Sequence, residues 1–185
     1  MGFWLVTALV VALAVWAVVA YNRLVRLRNQ VRTAWADIDV QLTRRHDLVP
    51  QLVAAVKGYA SHEKTVLETA TQLRAQALAE KSPARLGAVE AALEQATGRL
   101  LALQEAYPDL KASDNFLALQ RDLVDVEDHL QYARRFYNGA VRDYNDAVQR
   151  VPDLAVARAF AFAFASGEFY QAEAEQRASV AVKMP

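Results

Sequence analysis

The side chains able to do chemistry are few in this 185-residue chain, and their spacing completes no catalytic template. His62-Glu63 opens like HExxH, where two histidines one helical turn apart hold zinc and the glutamate activates water; Val66 stands where the second histidine belongs. A di-iron bundle site needs an acid three residues before each histidine, on the same helical face. Here Thr43, Tyr59 and Val126 precede His46, His62 and His129. Asp125 and His129 lie four apart with Glu127 and Asp128 beside them, the one cluster from which a metal-dependent hydrolase could be built; the plainer reading is a solvated ion pair on an acidic face. Gly2, Gly58, Gly87, Gly98, Gly139 and Gly167 are at least eleven residues apart, which excludes GxGxxG and P-loop cradles. No serine lies in GxSxG. The absence of cysteine excludes disulfides, thiolate metal sites and a cysteine nucleophile. No catalytic residue, metal ligand, cofactor or small-molecule substrate is therefore assigned. With 21 Lys+Arg against 21 Asp+Glu, the chain lacks the cationic excess that nucleic-acid binding requires.

The remaining polar residues of interest sit inside helical patterns. One stripe reads Phe116, Leu119, Leu123, Val126, Leu130, Ala133, Tyr137, Ala140, Tyr144, Val148 in unbroken steps of three and four. A second runs Leu24, Leu27, Val31, Trp35, Ile38, Leu42, Arg45, Val49, Leu52, Val56, Tyr59, and a third Leu86, Val89, Leu93, Ala96, Leu100, Leu103. Sustained heptads of this kind are what antiparallel bundle helices need to keep one seam facing their neighbours. Arg45 is the polar member of the second stripe. If the first and third long helices both run away from the membrane, equal rise places residue 45 near residue 136, and a mid-bundle layer of Arg45, Tyr137 and Asn138 follows. Pro50 interrupts the same helix, with Asp47 able to cap a restarted one. Tyr137-Asn138 and Tyr144-Asn145, one heptad apart, put two aromatics on the seam and two amides beside it; core packing accounts for them.

Helix ends are also legible. Lys57-Gly58 is a stop, Ser61 with Glu63 a fresh N-cap, Ser82-Pro83 a cap and first helical position that breaks the second arm, and Tyr107-Pro108-Asp109 a turn. Ser113 caps the helix before Phe116, and Pro152 ends it at Val151 or earlier. The expected fold is all-α: an antiparallel up-and-down bundle of three long helices, each ~35 to 45 residues or ~50–65 Å, plus a short fourth. Behind the bundle stands one transmembrane helix, with which the first helix is continuous. The alternation Ala159-Phe160-Ala161-Phe162-Ala163-Phe164 is apolar at every step and fits a strand, a helix or a membrane-surface segment. It is assigned to capping one end of the bundle core, with an interfacial anchor the lesser reading because no lysine cluster flanks it.

From Gly2 to Ala20 no side chain is charged, enough to cross a hydrocarbon layer that needs about 20 apolar residues. Trp4, Trp16 and Tyr21 lie towards its ends, where amphipathic rings favour the headgroups. No basic n-region precedes the run, so it reads as a retained anchor rather than a cleaved signal. Arg23, Arg26, Arg28 and Arg32 follow it, and the positive-inside bias puts the N-terminus outside and the bundle in the cytoplasm. The expected organisation is anchor 1–22, bundle domain 23–170 and flexible tail 171–185.

Arg44-Arg45-His46-Asp47-Leu48-Val49-Pro50, running on to Val56-Lys57-Gly58-Tyr59-Ala60-Ser61-His62-Glu63, closely resembles the signature of the LemA family of bacterial membrane proteins. So do Tyr107-Pro108-Asp109-Leu110-Lys111-Ala112-Ser113-Asp114-Asn115-Phe116 and the Tyr-Asn repeat at 137–145. The similarity covers nearly the whole chain and departs from the family in the Ala-Phe tail. It implies an inner-membrane, single-pass helical bundle with no established reaction. It also implies partners such as a membrane protease or a TPM-domain protein, and in one branch a role in magnetosome organisation. Carried over as a fold and interaction pattern are Arg45, Asp47, Pro50, Lys57, Gly58, Tyr59, His62, Glu63, Tyr107, Pro108, Tyr137, Asn138, Tyr144 and Asn145. The expected function is a non-catalytic scaffold or adaptor for membrane or envelope proteins. The alternatives are a hydrolase using Asp125, Glu127, Asp128 and His129, and a membrane-remodelling protein acting through the arginines and the Phe-rich tail.

Overall fold

A computed structural model describes residues 2–161 and 163–170, and these are helical with no strand among them. The elements are α1 (Gly2–Lys57), α2 (Lys64–Ala79), α3 (Pro83–Ala102), a 3₁₀ turn (Leu103–Glu105), α4 (Pro108–Lys111), α5 (Asp114–Gln149) and α6 (Asp153–Ala159). The apolar N-terminal run and the first bundle helix are one continuous helix. The second arm breaks after Ala79, and α2 and α3 pack on each other as a hairpin. The tail from residue 171, and Phe162 within the Ala-Phe run, lie outside the described residues.

Sequence chemistry sets most boundaries. Lys57 ends α1, and Pro83 is the first residue of α3. The Ser113 hydroxyl accepts from the Phe116 amide at 3.5 Å, satisfying one of the unpaired donors at the start of α5. Three details differ from the sequence reading. Ser61 does not cap α2, which begins three residues later behind Glu63. The Ser82 side chain makes no capping bond to the start of α3; the link before it is held by the Glu80 carboxylate, accepting from the Lys81 and Ser82 amides at 2.8 Å each and from Arg85 Nε at 2.9 Å. The third concerns α1, which continues through Pro50 without restarting at Asp47.

Two compact units divide these helices. The first holds the residues up to Ile38 and Ala133–Glu168. Within it α1 and α5 run in opposite directions: Leu24 shares a cluster with Tyr144 and Val148, whereas Trp35 meets Tyr137 edge-on at 5.3 Å between ring centroids. Val156, Ala157 and Phe164 complete that cluster with Ala20. Phe164 therefore caps core as expected, while Phe160 is half-exposed.

The second unit holds Asp39–Tyr132 together with Phe169 and Tyr170. It is built from the distal part of α1, the α2–α3 hairpin and the first half of α5. Ile38 closes the stripe on the first side, and Leu42, Val49, Leu52 and Val56 continue it here beside Leu93, Leu100, Leu123, Val126 and Leu130, all buried. Each such side chain stabilises the fold by roughly 1.5–3 kcal/mol relative to exposure. Every residue of the α5 stripe is buried. The α3 stripe holds at Leu86, Leu93, Ala96 and Leu100, all buried, while Val89 and Leu103 are only half-buried and the polar Glu90 and Thr97 also face the core.

Candidate functional site

The heptad that carries Arg45 into the core also buries a charge there, which demands a partner. Arg45 is 4% exposed and its Nη1 donates to Glu90 Oε2 at 3.1 Å. Glu90 is fully buried, and its other oxygen lies 2.6 Å from His46 Nε2. The Arg45 guanidinium also pairs with Glu127, and Glu94 lies 3.9 Å away at the rim. Helices α1, α3 and α5 are thereby joined at one ionic cluster in the second unit. A small cleft of about 190 Å³ opens beside it, bordered by Arg45, Glu94, Thr97 and Glu127.

Arg45 is thus an inward polar residue, as its stripe position suggests, but its partners are not Tyr137 and Asn138. The equal-rise estimate assumed that the first and third long helices share a direction. The middle arm folds back on itself, which adds a reversal and sends α5 the opposite way. Tyr137 and Asn138 belong to the first unit, where the Tyr137 hydroxyl donates to the Glu168 carbonyl at 2.8 Å.

One backbone group in the cluster owes its partner to Pro50. Proline has no amide hydrogen, so the carbonyl four residues earlier loses its helical donor. That carbonyl belongs to His46, and Arg74 Nε on α2 donates to it at 2.5 Å. The neighbouring Asp47 carbonyl accepts from Gln51 Nε2 at 3.0 Å. Asp47 and Pro50 themselves face outward.

The cluster braces α1 and α2 below their connecting turn, which carries the densest run of signature residues. Lys57, Gly58, Tyr59 and His62 are exposed there and Glu63 is half-buried; Tyr59 ends the α1 stripe but is 46% exposed. Ala60 is the fully buried pivot, its amide donating to the Val56 carbonyl at 2.8 Å. Beside the turn lies a groove of about 530 Å³ with Val53 and Leu67 in its floor and Lys57, Ser61, Lys64 and Glu68 around it. Tyr107 and Pro108 open α4, Tyr107 as its N-cap residue and Pro108 at the first helical position.

The Tyr-Asn repeat does more than pack. In the first unit the Tyr144 hydroxyl donates to the Ala165 carbonyl at 3.0 Å, and the Asn145 amide brackets Gly167, donating to its carbonyl at 3.0 Å and accepting from its N–H at 2.8 Å. With Tyr137, these groups clasp the extended segment after α6. Burial pushes the Tyr137 hydroxyl pKa up, helped by the Glu168 charge. Burial also raises that of Tyr144, against the opposing pull of Arg28 and Arg32.

The acid-histidine group at 125–129 holds the exposed pair that its spacing suggests, His129 Nδ1 lying 3.4 Å from Asp125 Oδ1, and its acids also meet arginines of α1. Asp125 accepts from Arg44 at 2.8 Å, Glu127 pairs with Arg45, and His129 Nδ1 lies 2.7 Å from the Asp125 carbonyl. Among the described residues no three His, Asp or Glu side chains group closely enough to hold a metal ion.

Missing from the sequence reading were Glu90, Arg74 and Glu80. Glu90 was detectable as the acid at the four-residue step from Leu86, on the stripe itself.

A long helix with an apolar N-terminal end, long enough to cross a membrane, and a helical bundle braced by buried ions define an all-α class of protein. The LemA family model matches residues 34–184, and the chain belongs to that family. It is 23% identical over 158 residues to the magnetosome protein MamQ of Magnetospirillum gryphiswaldense, covering 71% of this chain and 58% of that protein. Against magnetosome protein MamQ 2 of Paramagnetospirillum magneticum it is 24% identical over 191 residues, covering 88% of this chain and 68% of the relative. It is 27% identical over 131 residues to protein LemA of Metamycoplasma hominis, covering 69% of this chain. The match spans 58% of the length of that protein and of the first MamQ.

Proposed function

We propose that this chain is a non-catalytic, single-pass membrane protein whose helical bundle acts as a scaffold or adaptor for other membrane or envelope proteins. The observation that carries the reading is the exposure of α1: Phe3, Trp4, Leu5, Val6, Leu9, Val10, Val11, Leu13, Val15, Val18 and Val19 are each more than half exposed, on all faces of the helix. The stretch is long and apolar enough to cross a membrane, with a mean hydropathy of 2.5 over 18 residues. Water is a poor solvent for it and a bilayer a good one. Arg23, Arg26, Arg28 and Arg32 then set the bundle on the cytoplasmic side of a bacterial inner membrane.

What supports contact rather than turnover is where the charged groups go. The buried charged and titratable groups are paired within the fold, Arg45 and His46 with Glu90 and Asp153 with Arg23, and the exposed signature residues form a turn with a mixed-charge, apolar-floored groove. Such a surface suits a peptide segment of a partner protein. The family resemblance points to a membrane protease or a TPM-domain protein as that partner, and two of the relatives are named as magnetosome proteins.

Alkaline carbonate extraction of membranes holding the full chain, with metal analysis of the purified protein, tests this. The chain stays in the pellet and carries no stoichiometric metal. Release into the supernatant would remove the anchor; stoichiometric zinc, iron or manganese would favour the hydrolase.

A further inference from the structure

We infer that the α5–α6 turn and Phe160 form a second membrane contact, an interfacial foot that rests in the headgroup–acyl boundary of a bilayer containing anionic lipid. The inference rests on the reading of α1 as a membrane span. It goes beyond that reading by assigning a lipid-binding surface to residues more than a hundred positions away.

Depth along α1 fixes the level of the foot. The apolar run ends at Ala20 and the first charge is Arg23, so the hydrocarbon edge falls between them, with Tyr21 among the headgroups. The Tyr21 ring meets Phe160 edge-on at 5.1 Å and Phe164 at 5.3 Å between centroids. Trp16, about 8 Å deeper at ~1.5 Å per residue, packs on the same cluster as Val156, Ala157 and Phe164. A segment whose Phe160 and Phe164 rings both meet Tyr21 shares the depth of Tyr21.

Its outward face has the composition of an interfacial binder. Val151 is 76% and Phe160 40% exposed, with Ala159 and Ala161 also exposed. Arg150 and Arg158 flank them, and Arg26 lies exposed on α1. Apolar residues bounded by arginines are what bury into the boundary and draw anionic headgroups. The nearest acid is turned away: Asp153 is buried and accepts from Arg23 at 2.7 Å. The exposed acids Asp143 and Asp146 lie further back along α5. Arg28 fixes the segment from the other side, donating to the Ala163 carbonyl at 2.9 Å and lying over the Phe164 ring.

Because the chain has no cysteine, single sites can be labelled cleanly. Full-length Leu9→Cys, Val151→Cys, Phe160→Cys and Tyr132→Cys would each carry a nitroxide in phosphatidylcholine–phosphatidylglycerol vesicles, read by collision with oxygen and with an aqueous nickel chelate. The expected result is an oxygen-rich label at 9, an aqueous label at 132, and labels at 151 and 160 shielded from nickel by about fivefold relative to 132, as interfacial depth implies. Labels at 151 and 160 as nickel-accessible as 132, with 9 still shielded, would overturn the foot and leave the span intact. An aqueous label at 9 would overturn both. Should Phe160→Cys fail to fold, Val151, which is 76% exposed, decides alone.

Discussion

Arg74 donates from Nε to the backbone carbonyl of His46 at 2.5 Å, replacing the hydrogen bond that Pro50 lacks an amide to make. A helix-interior proline is thereby accommodated by a side chain from the next helix. The same contact ties α2 to the residue beside Arg45, so the tolerance of Pro50 and the placement of the signature turn depend on one guanidinium.

A double-mutant cycle follows. Arg74→Ala leaves the His46 carbonyl unsatisfied and costs about 1–3 kcal/mol. In a Pro50→Ala background the restored amide serves that carbonyl, and the cost of Arg74→Ala falls by at least ~1 kcal/mol. Denaturant midpoints of the four proteins measure the coupling; additive costs would show that Arg74 acts elsewhere.

Glu90 is the acid shared by Arg45 and His46, and it is fully buried. Removing Glu90 takes the acid from His46 and leaves Arg45 with Glu127 and the rim Glu94, so Glu90→Ala is expected to cost about 3 kcal/mol, the low end for a broken buried pair. Arg44→Ala, which breaks the exposed pair with Asp125, costs under ~1 kcal/mol. Thermal unfolding of the two variants gives the contrast directly.

The Tyr-Asn clasp makes stability sensitive to alkali. Tyr137 and Tyr144 have pKa values raised above 10.0 by burial, so the protonated hydroxyls stabilise the fold fully below the unfolded value. That contribution is lost as pH rises through the higher folded values. Absorbance titration of tyrosinate should show a late component that Tyr137→Phe and Tyr144→Phe remove, and protease cleavage after α6 should rise with it.

At the other extreme of pH, Glu80 is held down to about 2 by the Arg85 side-chain hydrogen bond and by the Ser82 amide. A depressed carboxylate stabilises above its unfolded pKa and loses that effect as pH falls towards 2. The link between α2 and α3 should therefore loosen below pH ~4. The protection of the Lys81 and Ser82 amides against hydrogen exchange, relative to the unstructured rate at the same pH, should fall there in the wild type and should already be low in Glu80→Gln at neutral pH.

How far the sequence could be read depended on whether a pattern was made of apolar residues. The α5 stripe is complete from Phe116 to Val148 because each of its positions is apolar and buried. The stops at Lys57 and Pro83 were legible because they arise from local backbone chemistry. On α3 a search for apolar residues steps over Glu90 to Val89, and the residue skipped was the partner of Arg45. Helix direction was lost with the hairpin at Glu80: no local signal distinguishes a kinked arm from a reversal. Arg74 was invisible for a similar reason, since its role is defined by a carbonyl 28 residues away. The Tyr-Asn repeat showed its spacing but not its purpose, because the segment it clasps has no periodicity of its own.

The scaffold function requires that the signature turn be a surface for partner proteins. A photo-activatable cross-linker placed at Tyr59 of the full-length chain, irradiated in native membranes, tests it, with the same cross-linker at exposed Tyr132 as reference. We expect position 59 to capture a discrete membrane or envelope protein, and Lys57→Glu with Lys64→Glu to abolish that capture. Equal labelling at 59 and 132, unchanged by the two charge reversals, would contradict it.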